Sequence, residues 1–223
     1  MSIVFLHVGD DQLVKLFVKS IKLSCKNIEI IQCSDLKTPA VDGVDFVFRH
    51  DGDITNLMTF RLECFSNLRR RTPAIYLDTD MLVLNDLSAI LVNTTQVGLC
   101  RREFGRAGMF NINFNGLDLS EYSGMTLDEV YPFIACCTLT PSFEFWSRAL
   151  TTLKNLDPKF HYWYGDQEAI KIVAGQMSDA DKLLLPESVY GCLPEYIQNT
   201  QPKIIHFKGP SRKKLMRDFL SCP

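Results

Sequence analysis

Residues 75–84 read IYLDTDMLVL, and this stretch decides the fold. The apolar run at 74–77 is typical of a fully buried strand, and Asp78 and Asp80 follow it directly. Side chains two residues apart on an extended segment project to the same side, so the two carboxylates converge beyond the strand. A hard divalent cation, Mg²⁺ or Mn²⁺, relieves their repulsion. The stretch therefore predicts a metal site; in the alternative reading, one aspartate caps the next helix and the other is solvated.

Short apolar runs and helical patterns alternate on the N-terminal side of this stretch. The pattern predicts strands at 3–8, 28–33 and 45–49 and helices at 13–21 and 57–70. Such alternation predicts an α/β fold with a mainly parallel sheet and helices on both faces. Ligands of these sheets bind at the carboxyl ends of the strands, where the Asp-x-Asp stretch falls.

The C-terminal side continues the alternation after a less regular middle. Helices are predicted at 145–156 and 166–175, and a late strand at 203–207. The segment 101–131 is rich in Gly, Asn and Asp, which favours a long excursion over the sheet edge that shapes a substrate site.

Composition limits the classes of function. The 223 residues contain no linker or repeat, so we expect one domain spanning 1–223, either complete or the N-terminal part of a longer protein. A net charge of −2 argues against nucleic-acid binding. There is neither a run of 18 apolar residues nor a leader-like N-terminus, so we expect no membrane span and a cytoplasmic location. The eight cysteines lack a CxxC pattern and are expected to be free thiols.

Two other classes of protein remain open at this point. LDTDMLV at 77–83 resembles the first motif of haloacid-dehalogenase-type phosphatases, in which Asp78 would be the nucleophile and Asp80 the general acid. That motif normally ends the first strand, whereas at least three predicted strands precede it here. A non-catalytic module that binds a sugar nucleotide is the other alternative. A pyrophosphorylase is less favoured, because its basic glycine-rich loop is replaced by HVGDDQLV at 7–14.

Several separated motifs resemble, in the same order, those of family 8-type glycosyltransferases of the GT-A fold, the glycogenin and lipopolysaccharide galactosyltransferase-like enzymes. These motifs are VGDDQLVKLFVKSIKLS at 8–24, FRLECFSNL at 60–68, IYLDTDMLVLNDL at 75–87, GDQEAI at 165–170 and HFKGPSRK at 206–213. The resemblance implies metal-dependent transfer of a hexose or deoxyhexose from a UDP-sugar to a saccharide hydroxyl, with retention of configuration. The chain also resembles the soluble glycosyltransferase domains of large algal (chlorella) DNA viruses, which implies the host cytoplasm.

The same resemblance implies which residues bind the metal ion and the diphosphate of the donor. Asp78, Asp80 and His206 would bind Mn²⁺ or Mg²⁺, with Thr79 beside them in the donor site. The diphosphate would contact residues of the late glycine-containing turn: Lys208, Gly209, Arg212 and Lys213. Relatives end this turn in Lys-Pro-Trp, whereas this chain has RKKL, so which base fills the phosphate role stays open.

The resemblance also implies which residues bind the sugar and the nucleoside of the donor. Arg61 would reach towards the donor sugar, Asp166 would bind its hydroxyls, and Gln167 would lie near the anomeric carbon. The stretch after the first strand would hold uracil and ribose: Val8, Gly9, Asp10 and Asp11. Asp10 or Asp11 could equally cap the following helix, and Asp166 could simply begin one. FIACCTL at 133–139 replaces an Asn-Ala-Gly step of the relatives, which leaves donor identity open.

Overall fold

The computed structural model describes residues 1–92, 94–114 and 117–221. The strands in these residues are β1 (Ser2–Leu6), β2 (Glu29–Ser34), β3 (Phe46–Arg49), β4 (Ala74–Leu77), β5 (Met81–Val83), β6 (Val97–Arg101), β7 (Asn113–Phe114), β8 (Leu117–Asp118), β9 (Phe133–Thr140), β10 (Lys182–Pro186) and β11 (Ile204–His206). The α-helices are α1 (Leu13–Ser24), α2 (Leu57–Asn67), α3 (Ser88–Leu91), α4 (Leu127–Val130), α5 (Glu144–Lys154), α6 (Lys159–Tyr162), α7 (Gly165–Gly175), α8 (Glu187–Tyr190) and α9 (Pro210–Ser221).

Seven of the described strands form the central sheet, in the order β10-β6-β9-β4-β1-β2-β3. The predicted mainly parallel arrangement is confirmed, since β1, β2, β3 and β4 pair in parallel, as do β6 and β10. Strand β9 runs antiparallel to both of its neighbours, β4 and β6. The apolar run FIACCTL is typical of a buried strand but does not indicate the direction of that strand, because a strand running in either direction buries the same side chains.

Helices cover both faces of the sheet, as predicted. The side chains of β1 alternate between the two cores: Ile3 and Phe5 lie in the core that contains α1, and Val4 lies in the core that contains α2, α5 and α7. Helix α1 was predicted from its apolar spacing, and Phe17 and Ile21 are fully buried. The two layers place the carboxyl ends of β1 and β4 at one common edge.

A small second sheet lies beyond that edge. Strand β5 follows the Asp-x-Asp turn and pairs antiparallel with β11, with Met81 opposite His206. The predicted strand at 203–207 is therefore confirmed, and β5 is its partner. This pairing brings the C-terminal part of the chain back to the Asp-x-Asp turn.

The predicted excursion after β6 is irregular but well packed. It contains β7 and β8, which pair antiparallel, and helix α4 begins with a capping box between Thr126 and Glu129. Phe110, Leu119 and Tyr131 are buried in the same core as α2 and α7, so the excursion is fixed to the body of the protein.

Two predictions concern the chain as a whole, namely the state of its cysteines and its relation to membranes. The seven described cysteines are buried free thiols, as expected, and Cys222 lies outside the described residues. Within the described ranges, no helix combines the length and the apolar character needed to cross a membrane.

Candidate active site

The Asp-x-Asp turn is held at both ends by backbone hydrogen bonds. The amide of Asp78 donates to the carbonyl of Cys136 on β9 at 3.1 Å. The amide of Phe207, just after β11, donates to the carbonyl of Asp80 at 2.8 Å. The turn is thus fixed between the central sheet and the small sheet, and both aspartate side chains face the space between them.

The three predicted metal ligands meet in this space. One ligand atom from each of Asp78, Asp80 and His206 lies within 4.8 Å of the others. The buried Nδ1 of His206 has no hydrogen-bond partner among the described residues, and its Nε2 lies 3.4 Å from Asp80 Oδ1. Two carboxylates and an imidazole form a donor set suited to Mn²⁺ and compatible with Mg²⁺. The residues therefore fit a divalent cation.

Positive charges already balance Asp80. Lys213 Nζ lies 3.1 Å from Asp80 Oδ2. Burial opposes ionisation of Asp80, but the hydrogen bond and charge of His206 and the charge of Lys213 outweigh it and lower the pKa of Asp80 to about 2. Burial likewise disfavours the His206 cation, yet Cys136 and Asp80 raise the pKa of His206 to about 10. A bound cation would take over this balancing charge and would need the neutral imidazole.

Arg61, on α2, joins the metal trio to α7. Its Nη2 lies 2.7 Å from Asp78 Oδ1, and its Nη1 lies 2.8 Å from Asp166 Oδ2. The Arg61 side chain is only 10% exposed, so it needs these partners to be buried as a cation. Burial, with a further contribution from Asp78, raises the pKa of Asp166 against the opposing effect of Arg61. Arg61 is thus buried between two acidic partners.

The start of α7 is shaped to point Asp166 inwards. Tyr164 adopts a left-handed backbone with φ +59°, a conformation that is costly for a residue other than glycine. At Gly165, an added Cβ would lie 2.0 Å from the carbonyl oxygen of Phe160, so only glycine fits. The next residue, Asp166, accepts a hydrogen bond from the amide of Gln167 at 2.7 Å. This turn is what places the carboxylate beside Arg61.

Gln167 is bound to the edge of β9. Its Oε1 accepts from the amide of Ala135 at 3.0 Å, and its Nε2 donates to the carbonyl of Phe133 at 2.5 Å. The side chain is buried beside Asp166. It therefore joins α7 to β9 at the floor of the site.

These groups line one cleft of about 620 Å³. Apart from the residues already described, its lining includes predicted donor-site residues: Thr79, Lys208, Gly209 and Lys213. Trp163 and Tyr164 add an aromatic wall. The sequence analysis missed the apolar lining from Leu57, Met58 and Cys136, which carry no motif that could have revealed them. Arg212 lies outside the cleft lining, paired with Glu195, so the cleft contains three of the four predicted diphosphate residues.

The predicted nucleoside residues lie in a second, shallower hollow of about 340 Å³. Val8, Gly9 and Asp10 line it together with Asp35 and Thr38, which sequence reasoning missed. Gly9 has φ +93°, a conformation that favours glycine, and its amide donates to Thr38 Oγ1 at 2.8 Å.

Asp11 serves the following helix. Its Oδ1 accepts from the amide of Leu13 at 3.0 Å, at the start of α1. Asp11 therefore stabilises the start of the helix, whereas Asp10 lines the hollow.

The mainly parallel sheet with its flanking helices and late antiparallel strand is the GT-A fold, and the structural neighbours of the chain are glycosyltransferases of that fold. A glycosyltransferase involved in glycosylation of the major capsid of PBCV-1 superposes with a TM-score of 0.60 and 10% identity, covering 98% of this chain and 100% of that one. The enzyme LgtC gives a TM-score of 0.59 and 14% identity, covering 98% and 96%. GlyE of Streptococcus pneumoniae TIGR4 gives 0.63 and 15%, covering 100% and 61%.

No protein-family model and no curated protein matches the sequence. At these identities, the likeness to solved structures establishes the fold.

Proposed function

We propose that this protein is a metal-dependent glycosyltransferase that moves a hexose or deoxyhexose from a UDP-sugar to a saccharide hydroxyl, with retention of configuration. The observation that carries the proposal is the convergence of Asp78, Asp80 and His206 in a cleft of about 620 Å³ on a GT-A fold. A structural neighbour, the galactosyltransferase LgtC, was crystallised with donor and acceptor sugar analogues. The cleft is large enough for a nucleotide sugar, since typical ligand pockets span about 300–1,000 Å³.

The proposed charged end of the donor is the end of the cleft that contains the Asp-x-Asp turn. Asp78, Asp80 and His206 would hold Mn²⁺ or Mg²⁺, and the bound ion would supply positive charge to the departing diphosphate. Lys208 and Lys213 add positive charge at the same end of the cleft. The left-handed turn at Gly209, φ +86°, lets backbone approach a phosphate closely. These charges stabilise the leaving group, where negative charge develops during transfer.

The proposed sugar end is formed by the start of α7. Both oxygens of Asp166 are already engaged, Oδ1 by the amide of Gln167 and Oδ2 by Arg61. A carboxylate held in this way is suited to accepting hydroxyl hydrogen bonds and is a poor nucleophile. This supports front-side attack, in which the leaving phosphate accepts the acceptor proton, over a covalent intermediate on Asp166. Gln167 Oε1 retains a lone pair for a group near the anomeric carbon.

The proposed nucleoside end is the hollow lined by Val8, Gly9 and Asp10. Asp10 is an exposed carboxylate there and can accept from ribose hydroxyls. The hollow follows β1, and the cleft includes Leu6 at the end of the same strand. A donor would thus run along the carboxyl end of β1 towards the Asp-x-Asp turn.

The testing experiment is calorimetric titration of UDP with and without Mn²⁺. Wild type is expected to bind UDP with Mn²⁺ and weakly without it, and Asp80→Ala is expected to lose the Mn²⁺-dependent part. The control is Asp42→Ala, which removes an exposed aspartate in the loop between β2 and β3. Absence of UDP binding to wild type with either metal would overturn the proposal.

A second assay separates the alternative classes of protein. With UDP-glucose, UDP-galactose or a UDP-deoxyhexose, a glycosyltransferase releases UDP slowly even to water, whereas a binding module releases none. A phosphatase would instead release phosphate from p-nitrophenyl phosphate and lose that activity in Asp78→Asn. The proposal expects UDP release from a UDP-sugar and no phosphatase activity.

A further inference from the structure

Arg102 is a buried cation beside the proposed active site. It follows the end of β6, and only 5% of its surface is exposed. Its amide donates to the carbonyl of Pro132 and its Nε donates to the carbonyl of Tyr131, both at 2.9 Å. These two residues immediately precede β9, whose residues from Ile134 to Cys136 line the cleft. Arg102 is thus fixed against the segment that leads into the cleft-lining part of β9.

In the part of the chain that the structure describes, the Arg102 guanidinium has no acidic partner and forms no ion pair. Its Nε bond to Tyr131 is the one side-chain hydrogen bond that it makes with these residues. The basic side chains nearby differ in this respect, because Arg61 pairs with Asp78 and Asp166, and Lys213 pairs with Asp80. Burying an arginine without a counter-charge is costly, so an unpaired one beside a cleft indicates an anion supplied by a ligand.

The acidic residue associated with this turn is engaged by backbone amides. Glu187 is buried, and its Oε2 accepts from the amides of Glu103 at 2.7 Å and Phe104 at 2.9 Å. In the described part of the chain, it makes no ion pair with Arg102. Its bonds hold the backbone of the turn that follows Arg102.

The surroundings of Arg102 connect it to the mouth of the cleft. Tyr131, whose carbonyl it binds, stacks on Tyr164 of the cleft wall with ring centroids 5.5 Å apart. Arg102 is therefore linked through Tyr131 to the wall of the cleft.

An aromatic surface continues from the same turn. Phe104 stacks on Tyr196 with centroids 4.1 Å apart and an angle of 6° between the rings. Tyr196 is 38% exposed, so part of this aromatic pair is accessible to solvent. The C–H face of a sugar ring can pack on such a surface, and a cation beside it favours a sugar that carries a negative charge.

We propose that Arg102 binds an anionic group, a carboxylate or a phosphate, on the acceptor saccharide, with the Phe104–Tyr196 pair supporting a sugar ring next to it. The planar guanidinium matches either oxyanion with two parallel hydrogen bonds. The proposal deepens the proposed function and rests on it, since it assigns Arg102 to the acceptor and leaves Lys208 to the donor diphosphate.

The test measures binding of three small sugars to the protein saturated with UDP and Mn²⁺. Titrations followed by NMR would use glucuronic acid, glucose 6-phosphate and neutral glucose. Wild type is expected to bind at least one charged sugar about tenfold or more tightly than glucose, as hydrogen bonds to charged groups typically contribute. The charged sugar that is preferred identifies the source of the anion as a uronic acid or a sugar phosphate.

Variants assign that preference to Arg102. Arg102→Gln is expected to lose it while its affinity for UDP with Mn²⁺ stays within about twofold of wild type. Arg101→Gln removes an exposed arginine one residue away and is expected to behave as wild type. Arg102→Lys keeps the positive charge but lacks the planar guanidinium, so it should retain part of the preference for the charged sugar. This variant replaces Arg102→Gln in the test if Arg102→Gln fails to fold.

Three results would overturn the inference. The first is equal affinity of wild type for the charged and neutral sugars, and the second is an unchanged preference in folded Arg102→Gln. The third is a tenfold loss of UDP affinity in Arg102→Gln, which would assign Arg102 to the donor. Failure of wild type to bind UDP at all would instead count against the proposed function, so the two failures are distinguishable.

Discussion

The two aspartates of the Asp-x-Asp turn are two residues apart, yet different parts of the fold hold them. Asp78 belongs to the sheet side, in which Arg61 from α2 binds both Asp78 and Asp166 and is 10% exposed. Asp80 belongs to the C-terminal side, in which His206 from β11 and Lys213 from α9 approach it separately. Lys213 is 39% exposed, so the C-terminal side is partly open to solvent.

The difference concerns how each carboxylate is balanced. One buried guanidinium shared by two carboxylates cannot be removed without leaving buried negative charge, whereas a half-exposed lysine can be replaced by water. We therefore expect the Arg61 network on the sheet side to contribute more to stability than the Lys213–Asp80 pair on the C-terminal side. The following four predictions test this distinction.

Removal of Arg61 should have the largest effect. Arg61→Met leaves Asp78 and Asp166 without their shared partner, and we expect the free energy of unfolding to fall by about 3–5 kcal/mol, as when one member of a buried ion pair is lost. Urea denaturation measures it. The control is Arg70→Met, because Arg70 pairs with Glu29 at a more exposed site and should contribute at most about 1 kcal/mol. Equal losses in the two variants would remove the distinction between the sides.

Metal addition should stabilise the protein through the C-terminal side. Mn²⁺ at 100 times its dissociation constant is expected to raise the free energy of unfolding by about 2.7 kcal/mol, because only the folded chain brings the three ligands together. Asp80→Ala and His206→Ala should lose this gain, and a chelator should reverse it in wild type. Thermal melts with and without Mn²⁺ provide the measurement. The same stabilisation in Asp80→Ala would place the metal elsewhere.

The glycine before Asp166 should be intolerant of a side chain. In Gly165→Ala the new Cβ meets the Phe160 carbonyl, and we expect a loss of about 1–3 kcal/mol of unfolding free energy, since backbone must shift. Gly175→Ala, at the other end of α7, has open space and should be neutral or slightly stabilising. A neutral Gly165→Ala would contradict the geometry that orients Asp166. Both variants can be measured by urea denaturation.

Removal of Lys213 should have the smallest effect on stability. Lys213→Met takes a half-exposed charge from Asp80, and His206 remains, so we expect a loss of less than about 1 kcal/mol. Lys214→Met removes the exposed neighbouring lysine and is its control. The same denaturation experiment applies to both. A loss comparable with that of Arg61→Met would show that the C-terminal side is as rigid as the sheet side.

Much of the fold could be predicted because its signals are local. The run AIYL coincides with β4, and the apolar spacing from Leu13 to Ile21 lies within α1. The reversed direction of β9 and the pairing of β5 with β11 could not be predicted, since both depend on which distant segments meet.

The candidate site divides in the same way. Asp78, Asp80 and His206 could be placed together because each belongs to a motif with a recognisable chemistry. Cys136 and Met58 enter the cleft only through packing, so their positions follow from the tertiary structure alone. Arg102 carried no motif either, and its interest comes from the absence of an acidic partner among the described residues.

The hydrogen bonds that hold the Asp-x-Asp turn have a consequence for how the protein is made. One bond reaches Cys136 and the other reaches Phe207, 58 and 127 residues beyond the aspartates they bind. Strands β1, β2 and β4, which pair with one another in the folded protein, are all translated before β11, so their part of the sheet can form first. The third metal ligand arrives with β11, so a chain still growing on the ribosome cannot yet complete the predicted ligand set.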